Sequence, residues 1–171
     1  MEGGFIQGKL EIKLLLLYIL CRLEAPVNMD TLTDVAMCDD GVSYFDLSAA
    51  LAELTESEHV SRTDELYQVT DKGRRNSAIT EDNLPYSVRL RCDHRLVEIN
   101  AQMRKLKRIH GAVIPREDDR FQLRLALDGE DGENVFTMTL LCDTQEEADR
   151  LEKSFRRDPE GFVARLQSVL S

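Results

Sequence analysis

The sequence has little of the residue types that build metal sites and disulfide frameworks. It contains four cysteines, three histidines and no tryptophan among 171 residues. No cysteine belongs to a Cys-x-x-Cys pair, so we expect reduced thiols rather than a structural zinc site or a disulfide scaffold. Phosphate-binding glycine loops, a Gly-x-Ser-x-Gly nucleophile elbow and a His-Glu-x-x-His zinc motif are all missing. The sequence therefore predicts no enzyme, no cofactor and no metal.

Long hydrophobic runs are also scarce. The unbroken apolar run from Leu14 to Cys21 has eight residues, whereas about 20 are needed to cross a bilayer. Lys13 and Arg22 flank this run, and no small-residue cleavage site follows it. These features predict a buried core helix in a cytoplasmic protein with no membrane partner.

The sequence has fewer basic than acidic residues. Acidic residues outnumber basic ones 32 to 22, for a formal net charge of −10. Residues 1–110 hold 14 bases and 18 acids, and the remainder holds 8 and 14. This balance excludes a uniformly basic nucleic-acid-binding protein, so any DNA contact must come from a local basic patch. We expect two acidic segments, Asp39-Asp40 and residues 128–133, to be solvated turns.

Hydrophobic periodicity predicts three helices and a hairpin in the first half of the chain. The helices are expected over residues 9–23, 29–37 and 43–57, each with apolar residues at helical spacing. Two β-prone segments, 60–62 and 66–70, follow with a polar link between them and predict a hairpin that residues 71–73 close.

A long amphipathic helix is predicted next, from about residue 85 to residue 110. A helix of this length exceeds what so small a domain can cover, and such helices commonly pair with a second chain. We therefore expect a homodimer. Its interface is predicted to be the apolar stripe of Val88, Cys92, Leu96, Ile99, Met103 and Leu106.

The last third of the sequence has a different pattern. Residues 121–127 alternate apolar and polar side chains, and a second strand is expected over 135–142 after an acidic turn. Thr144 opens a helix with a capping box, and a last helix starts at Asp158-Pro159. These elements predict a small ββαα domain that could hold a small-molecule effector between its sheet and helices.

A family resemblance rests on an apolar helix stripe, a short strand and a strand with a polar exit. These segments are Leu47-x-x-Ala50-Leu51-x-x-Leu54, His59-Val60 and Leu66-Tyr67-Gln68-Val69-Thr70-Asp71-Lys72-Gly73. Residues 9–110 thereby resemble bacterial winged helix-turn-helix regulators of the PadR and MarR type, in which the helix after the wing dimerises. The whole chain is also similar to a bacterial domain-of-unknown-function family whose members are described as transcriptional regulators on the strength of this fold.

The resemblance and the pattern of the last third together predict an α+β fold with three parts. A winged helix-turn-helix domain is expected over residues 1–80, a dimerisation helix over 81–110 and the ββαα domain over 111–171. The resemblance also implies a homodimeric transcriptional regulator that binds double-stranded DNA, since the second helix of such a motif lies in the major groove. The expected nucleic-acid-binding residues are Ser43, Tyr44, Ser48, Arg62, Lys72, Arg74 and Arg75.

The composition of the expected recognition helix keeps a second function open. No Arg, Lys, Asn or Gln lies between Ser43 and Ser57, and these are the side chains that read guanine and adenine edges. The face opposite the predicted core carries Phe45, Ala49 and Ala52. The alternative is therefore a protein–protein interaction module that docks a partner through this face and binds no DNA.

Overall fold

The computed structural model describes residues 5–170, which fold into seven α-helices and two antiparallel sheets. This arrangement confirms the α+β class. The chain divides into two compact units after Met103. None of the helices within residues 5–170 combines the length and the apolar character needed to cross a membrane.

The N-terminal unit contains the predicted helices and hairpin, and it has one helix more than predicted. Its elements in chain order are α1 (Lys9–Arg22), α2 (Met29–Ala36), α3 (Tyr44–Glu56), β1 (Val60–Thr63), β2 (Leu66–Val69), α4 (Asp71–Thr80), a 3₁₀ turn (Glu81–Asn83) and α5 (Tyr86–Lys107), of which residues 104–107 fall in the second unit. Asn28, Ser43 and Thr70 are the N-caps of α2, α3 and α4, and each side-chain oxygen accepts a backbone N–H three residues on.

Helix α1 is the centre of the N-terminal core. Residues 15–20 are at most 3% exposed, and α1 packs against α2, α3 and α4. A helix that is apolar on nearly every side needs neighbours on every side. The prediction of a buried core helix is therefore confirmed.

The β1–β2 hairpin is held against the helical core. Val60 pairs with Val69 at its base and Thr63 with Leu66 at its tip. Val27, in the loop between α1 and α2, exchanges two backbone hydrogen bonds with Tyr67, at 3.1 and 2.7 Å. The predicted hairpin is thus confirmed, and the bridge fixes its position beside α3.

Residues 71–73, which were expected to close the hairpin as a turn, form the first turn of α4 instead. The Thr70 hydroxyl accepts the N–H of Gly73 at 3.2 Å, which favours a helix start. Gly73 is required there because a Cβ would lie 2.2 Å from the carbonyl oxygen of His59.

The predicted dimer stripe on α5 belongs mostly to the chain's own core. Val88, Cys92 and Leu96 are at most 3% exposed. Ile99 and Met103 are half-buried and pack against the same core, whereas Leu106 is 63% exposed. Apart from Leu106, the stripe is therefore not a free surface, because its residues belong to or pack against the core of the same chain. The dimer itself stays a prediction.

The C-terminal unit has three strands rather than the predicted two. Its elements are β3 (Ile109–Pro115), β4 (Phe121–Asp128), β5 (Asn134–Cys142), α6 (Gln145–Arg157) and α7 (Pro159–Leu170). The predicted ββαα pattern lacked β3, because its first residues were assigned to the long helix. The correction has a physical reason, since β3 pairs with β4 along its whole length, from Ile109–Leu127 to Pro115–Phe121.

Aromatic side chains fill the space between this sheet and its helices. Phe155 on α6 is fully buried, and its ring centroid lies 5.9 Å from that of Phe136 and 5.4 Å from that of Phe162. Leu123 and Leu125 of β4 lie in the same core. The region in which the sequence suggested an effector pocket is thus packed with phenylalanine and leucine.

Candidate nucleic-acid interface

The N-terminal end of α3 carries three of the predicted DNA contacts. The Ser43 hydroxyl is already engaged, since it accepts the Asp46 N–H at 3.2 Å and donates to the Asp46 carboxylate at 2.6 Å. Tyr44 is half-exposed and Ser48 is exposed. Only Tyr44 and Ser48 are therefore left to meet a ligand through their side chains.

The outer face of α3 is apolar. Phe45 is 83% exposed, and its ring contacts that of Tyr44 edge-on at a centroid distance of 6.2 Å. Ala49 and Ala52 are exposed on the same face. The opposite face supplies the core residues Leu47, Ala50, Leu51 and Leu54. The outer face of α3 can make van der Waals contacts with a ligand, but it has no side chain that could make a bidentate contact with a base.

Arg62 is held within the hairpin. Its Nε donates to the Asp64 carbonyl at 3.0 Å, and its guanidinium lies 3.2 Å from the Glu65 carboxylate. The guanidinium carbon also lies 5.5 Å from the centroid of the Tyr67 ring. The charge of Arg62 is therefore partly offset before any ligand arrives.

The side chain of Lys72, which belongs to α4, reaches the C-terminal end of α3. Its Nζ donates to the Ser57 carbonyl at 2.7 Å, where a cation complements the helix dipole. The Thr70 hydroxyl donates to the Glu58 carbonyl at 2.8 Å and holds α4 in the same place. Because α3 has 13 residues, at about 1.5 Å per residue Lys72 lies roughly 20 Å from Ser43.

Arg74 and Arg75 are the least constrained cations of the predicted set. Both are exposed, and neither forms an ion pair or a side-chain hydrogen bond with residues 5–170. Positions two apart on a helix project about 160° apart, so Arg74 and Lys72 point to opposite flanks of α4. Arg75 follows Lys72 by three positions and lies on the same side as Lys72.

The predicted contacts thus form three separate groups rather than one patch. The first group lies at the start of α3, the second is Arg62 in the hairpin, and the third lies on α4, where Lys72 and Arg74 project to opposite flanks. Lys72, Arg74 and Arg75 are close in the sequence, but all three lie on helix α4. Their spacing of two residues and then one distributes them around this helix.

Sequence reasoning missed Asp39, which was expected in a solvated turn. Asp39 is only 2% exposed and lies in the turn that precedes α3. Its carboxylate accepts the backbone N–H groups of Phe5, Ile6 and Gly41 at 3.0–3.1 Å. The only sequence signal was its position between a helix end and a glycine.

The side chains that could support catalysis or metal binding are dispersed. Within residues 5–170, no three His, Cys, Asp or Glu side chains are placed to hold a metal ion. His59 bonds Ser57 and Asn76 at 2.9 and 3.2 Å, so it braces the junction of α3, β1 and α4. His110 lies 2.6 Å from the Asp128 carboxylate at the start of β3, and its side chain is about half-exposed.

Comparison with known proteins identifies a family. A family model described as a domain of unknown function, DUF4364, matches residues 12–170. No curated protein matches the chain, and no solved structure does either. The matched segment runs through both units and nearly the whole sequence. The chain therefore belongs to the DUF4364 family.

Proposed function

We propose that this protein is a winged helix-turn-helix transcriptional regulator that binds duplex DNA as a homodimer, mainly through phosphate contacts. The observation that carries the proposal is the placement of α3. Its outer face is open to solvent, with the β1–β2 hairpin after it and the unpaired arginines of α4 beyond its C-terminal end. Three helices followed by a hairpin match the layout of winged helices.

The chemistry of α3 defines the expected mode of binding. Phosphate contacts position a protein on DNA, and base-edge contacts specify the sequence. The outer face of α3 supplies Tyr44 and Ser48 but no side chain suited to bidentate base contact. Affinity therefore comes from Arg74, Arg75 and the hairpin, and binding depends on salt and tolerates changes of DNA sequence.

The homodimer is proposed on the resemblance of α5 to a dimerisation helix and on its exposed face. Tyr86, Leu90 and Val97 are 72%, 43% and 66% exposed. Their spacing of four and seven residues places them on one side of α5, opposite the buried stripe. A helix with apolar residues on two opposite faces has one face left for a second copy. Val97→Glu is expected to give a monomer in sedimentation equilibrium, whereas Glu98→Gln leaves the mass unchanged.

A salt titration with paired variants tests the DNA proposal. Fluorescence polarisation with a random-sequence duplex is expected to show binding at low salt that weakens steeply as salt is added. The Arg74→Ala/Arg75→Ala variant is expected to lose about tenfold in affinity and to reduce the salt slope by about two.

The matched control removes the same charge from the C-terminal unit. Arg150 and Arg157 are exposed residues of α6, and Arg150→Ala/Arg157→Ala is expected to retain the wild-type slope. Equal losses of DNA affinity in the two double variants would show that DNA is attracted to any surface cation and not specifically to α4. Absence of binding at low salt would overturn the proposal.

A second function is favoured by the exposure of Phe45. An aromatic ring that is 83% exposed beside Tyr44 is typical of a surface that docks another protein. A chain that binds no duplex at low salt, and whose pull-down of a partner depends on Phe45, would support this alternative. Leu10→Ala serves as the matched control, since Leu10 is a 71% exposed apolar residue on α1, outside both proposed interfaces.

A further inference from the structure

We infer that Cys38 and Cys92 form a redox-active dithiol, which a hydroperoxide oxidises to an intrachain disulfide. Cys38 lies in the turn after α2, and Cys92 lies on the buried face of α5. Their sulfur atoms are 3.2 Å apart, although 54 positions separate them in the sequence. The inference does not depend on DNA binding.

Access differs between the two thiols. Cys38 is half-buried and borders a cavity of about 310 Å³ that is also lined by Leu90, Arg91, His94 and Arg95. Cys92 is fully buried beneath it. A small oxidant that enters the cavity therefore meets the sulfur of Cys38 first. Cys92 is placed to react only with Cys38.

The hydrogen bond between the two thiols and the charged groups around them also favour Cys38 as the residue that reacts first. The hydrogen bond with Cys92 is the main cause that lowers the pKa of Cys38 to about 7. Burial opposes this shift, the guanidinium groups of Arg91 and Arg95 support it, and the Asp39 carboxylate opposes it. The hydrogen bond to Cys38, together with burial, raises the pKa of Cys92. Because its pKa lies near neutral pH, Cys38 is ionised in a substantial share of molecules and acts as the nucleophile, whereas Cys92 keeps its proton.

The reaction balances with hydrogen peroxide as the oxidant. The Cys38 thiolate attacks one peroxide oxygen, the O–O bond breaks, and hydroxide leaves and takes a proton to form water. This step produces a sulfenic acid at Cys38. The Cys92 sulfur then attacks the Cys38 sulfur, the S–O bond breaks, and the departing hydroxide combines with the Cys92 proton. The two thiols lose two electrons in total, and peroxide becomes two waters.

The surrounding structure needs little movement to accept the bond. A disulfide needs its sulfurs about 1 Å closer than the 3.2 Å in the reduced pair. The adjacent residues Asp39 and Arg91 already join the same turn to the same part of α5, at 2.7 Å. Oxidation therefore adds a covalent link where a polar link already exists.

The test uses the full chain, reduced and then treated with hydrogen peroxide. The intact mass is expected to fall by two hydrogen atoms, and peptide mapping is expected to recover the Cys38–Cys92 cross-link. The Cys142→Ser variant, which removes a buried thiol of the other unit, is expected to show the same mass loss. Oxidation is expected to slow about tenfold from pH 8 to pH 6 as the Cys38 thiolate is protonated.

Two variants separate the roles of the thiols. Cys92→Ser is expected to accumulate a sulfenic acid at Cys38 that dimedone labels, whereas Cys38→Ser gives neither label nor cross-link. The inference is overturned if the folded wild-type chain keeps its mass in excess peroxide. It is equally overturned if the cross-link joins two chains, or if dimedone labels Cys21 instead of Cys38.

Discussion

The carboxylate of Asp39 lies 2.7 Å from the guanidinium of Arg91 and ties the turn before α3 to α5. The side chain of Asp39 is 1% exposed, while that of Arg91 reaches solvent. The same carboxylate accepts three backbone N–H groups. Asp39 therefore provides the acceptor for the buried N–H of Ile6 and for the partly buried N–H groups of Phe5 and Gly41, and it links the turn before α3 to α5.

We expect Asp39→Asn to destabilise the N-terminal unit by about 2–3 kcal/mol. The substitution removes a charge-assisted bond to Arg91 and places an amide donor where three N–H groups need an acceptor. Urea unfolding followed by circular dichroism measures the change. Asp40→Asn is the matched control, since the neighbouring Asp40 is exposed. Equal unfolding midpoints for the two variants would contradict the prediction.

The stabilisation by Asp39 is also expected to depend on pH. Burial raises the pKa of the Asp39 carboxyl, but the backbone hydrogen bonds and the charge of Arg91 outweigh burial and lower the pKa below 3.8. Because the folded-state pKa is the lower one, the stabilisation is complete above the unfolded-state pKa and is lost as pH falls through the folded-state pKa.

The difference in unfolding free energy between wild type and Asp39→Asn is therefore expected to stay constant above about pH 5 and to shrink below about pH 4. Urea titrations across this range measure it. A difference that widens on acidification would show that the carboxylate is not the stabilising form.

Adding a cation to α3 tests which surface faces DNA. Ser48 is exposed on α3, so Ser48→Arg is expected to raise the affinity for duplex DNA and to steepen the salt slope by about 0.9. Ser168→Arg adds the same charge to α7 and is the control. Polarisation titrations at several salt concentrations give both slopes. If the control gains as much as Ser48→Arg, α3 does not face the DNA.

Oxidation of the dithiol is expected to stabilise the N-terminal unit. A bond between Cys38 and Cys92 closes a loop of about 55 residues, which corresponds to about 4 kcal/mol in the chain-entropy account. Thermal unfolding of peroxide-treated protein, before and after a thiol reductant, measures the gain. Cys92→Ser cannot form the bond and is expected to unfold at the same temperature with or without peroxide.

Local signals predicted α1, α2, α3, α5 and the hairpin of the N-terminal unit, but not α4. Ser43 is an N-cap because its hydroxyl accepts an N–H three residues on, a signal visible in the sequence. The prediction that Ile109 and His110 belong to the long helix was wrong, and β3 was not predicted. The helical period of α5 continues to Leu106, and only pairing with β4 shows that Ile109 begins a strand.

Short-range propensity and apolar periodicity were enough to establish the α+β class, the buried α1 and the order of elements around α3, because these depend on residues a few positions apart. The burial of Asp39, the meeting of Cys38 with Cys92 and the choice between the two apolar faces of α5 depended on packing. Each involves groups more than 30 positions apart, and their contact depends on how the helices fill the core.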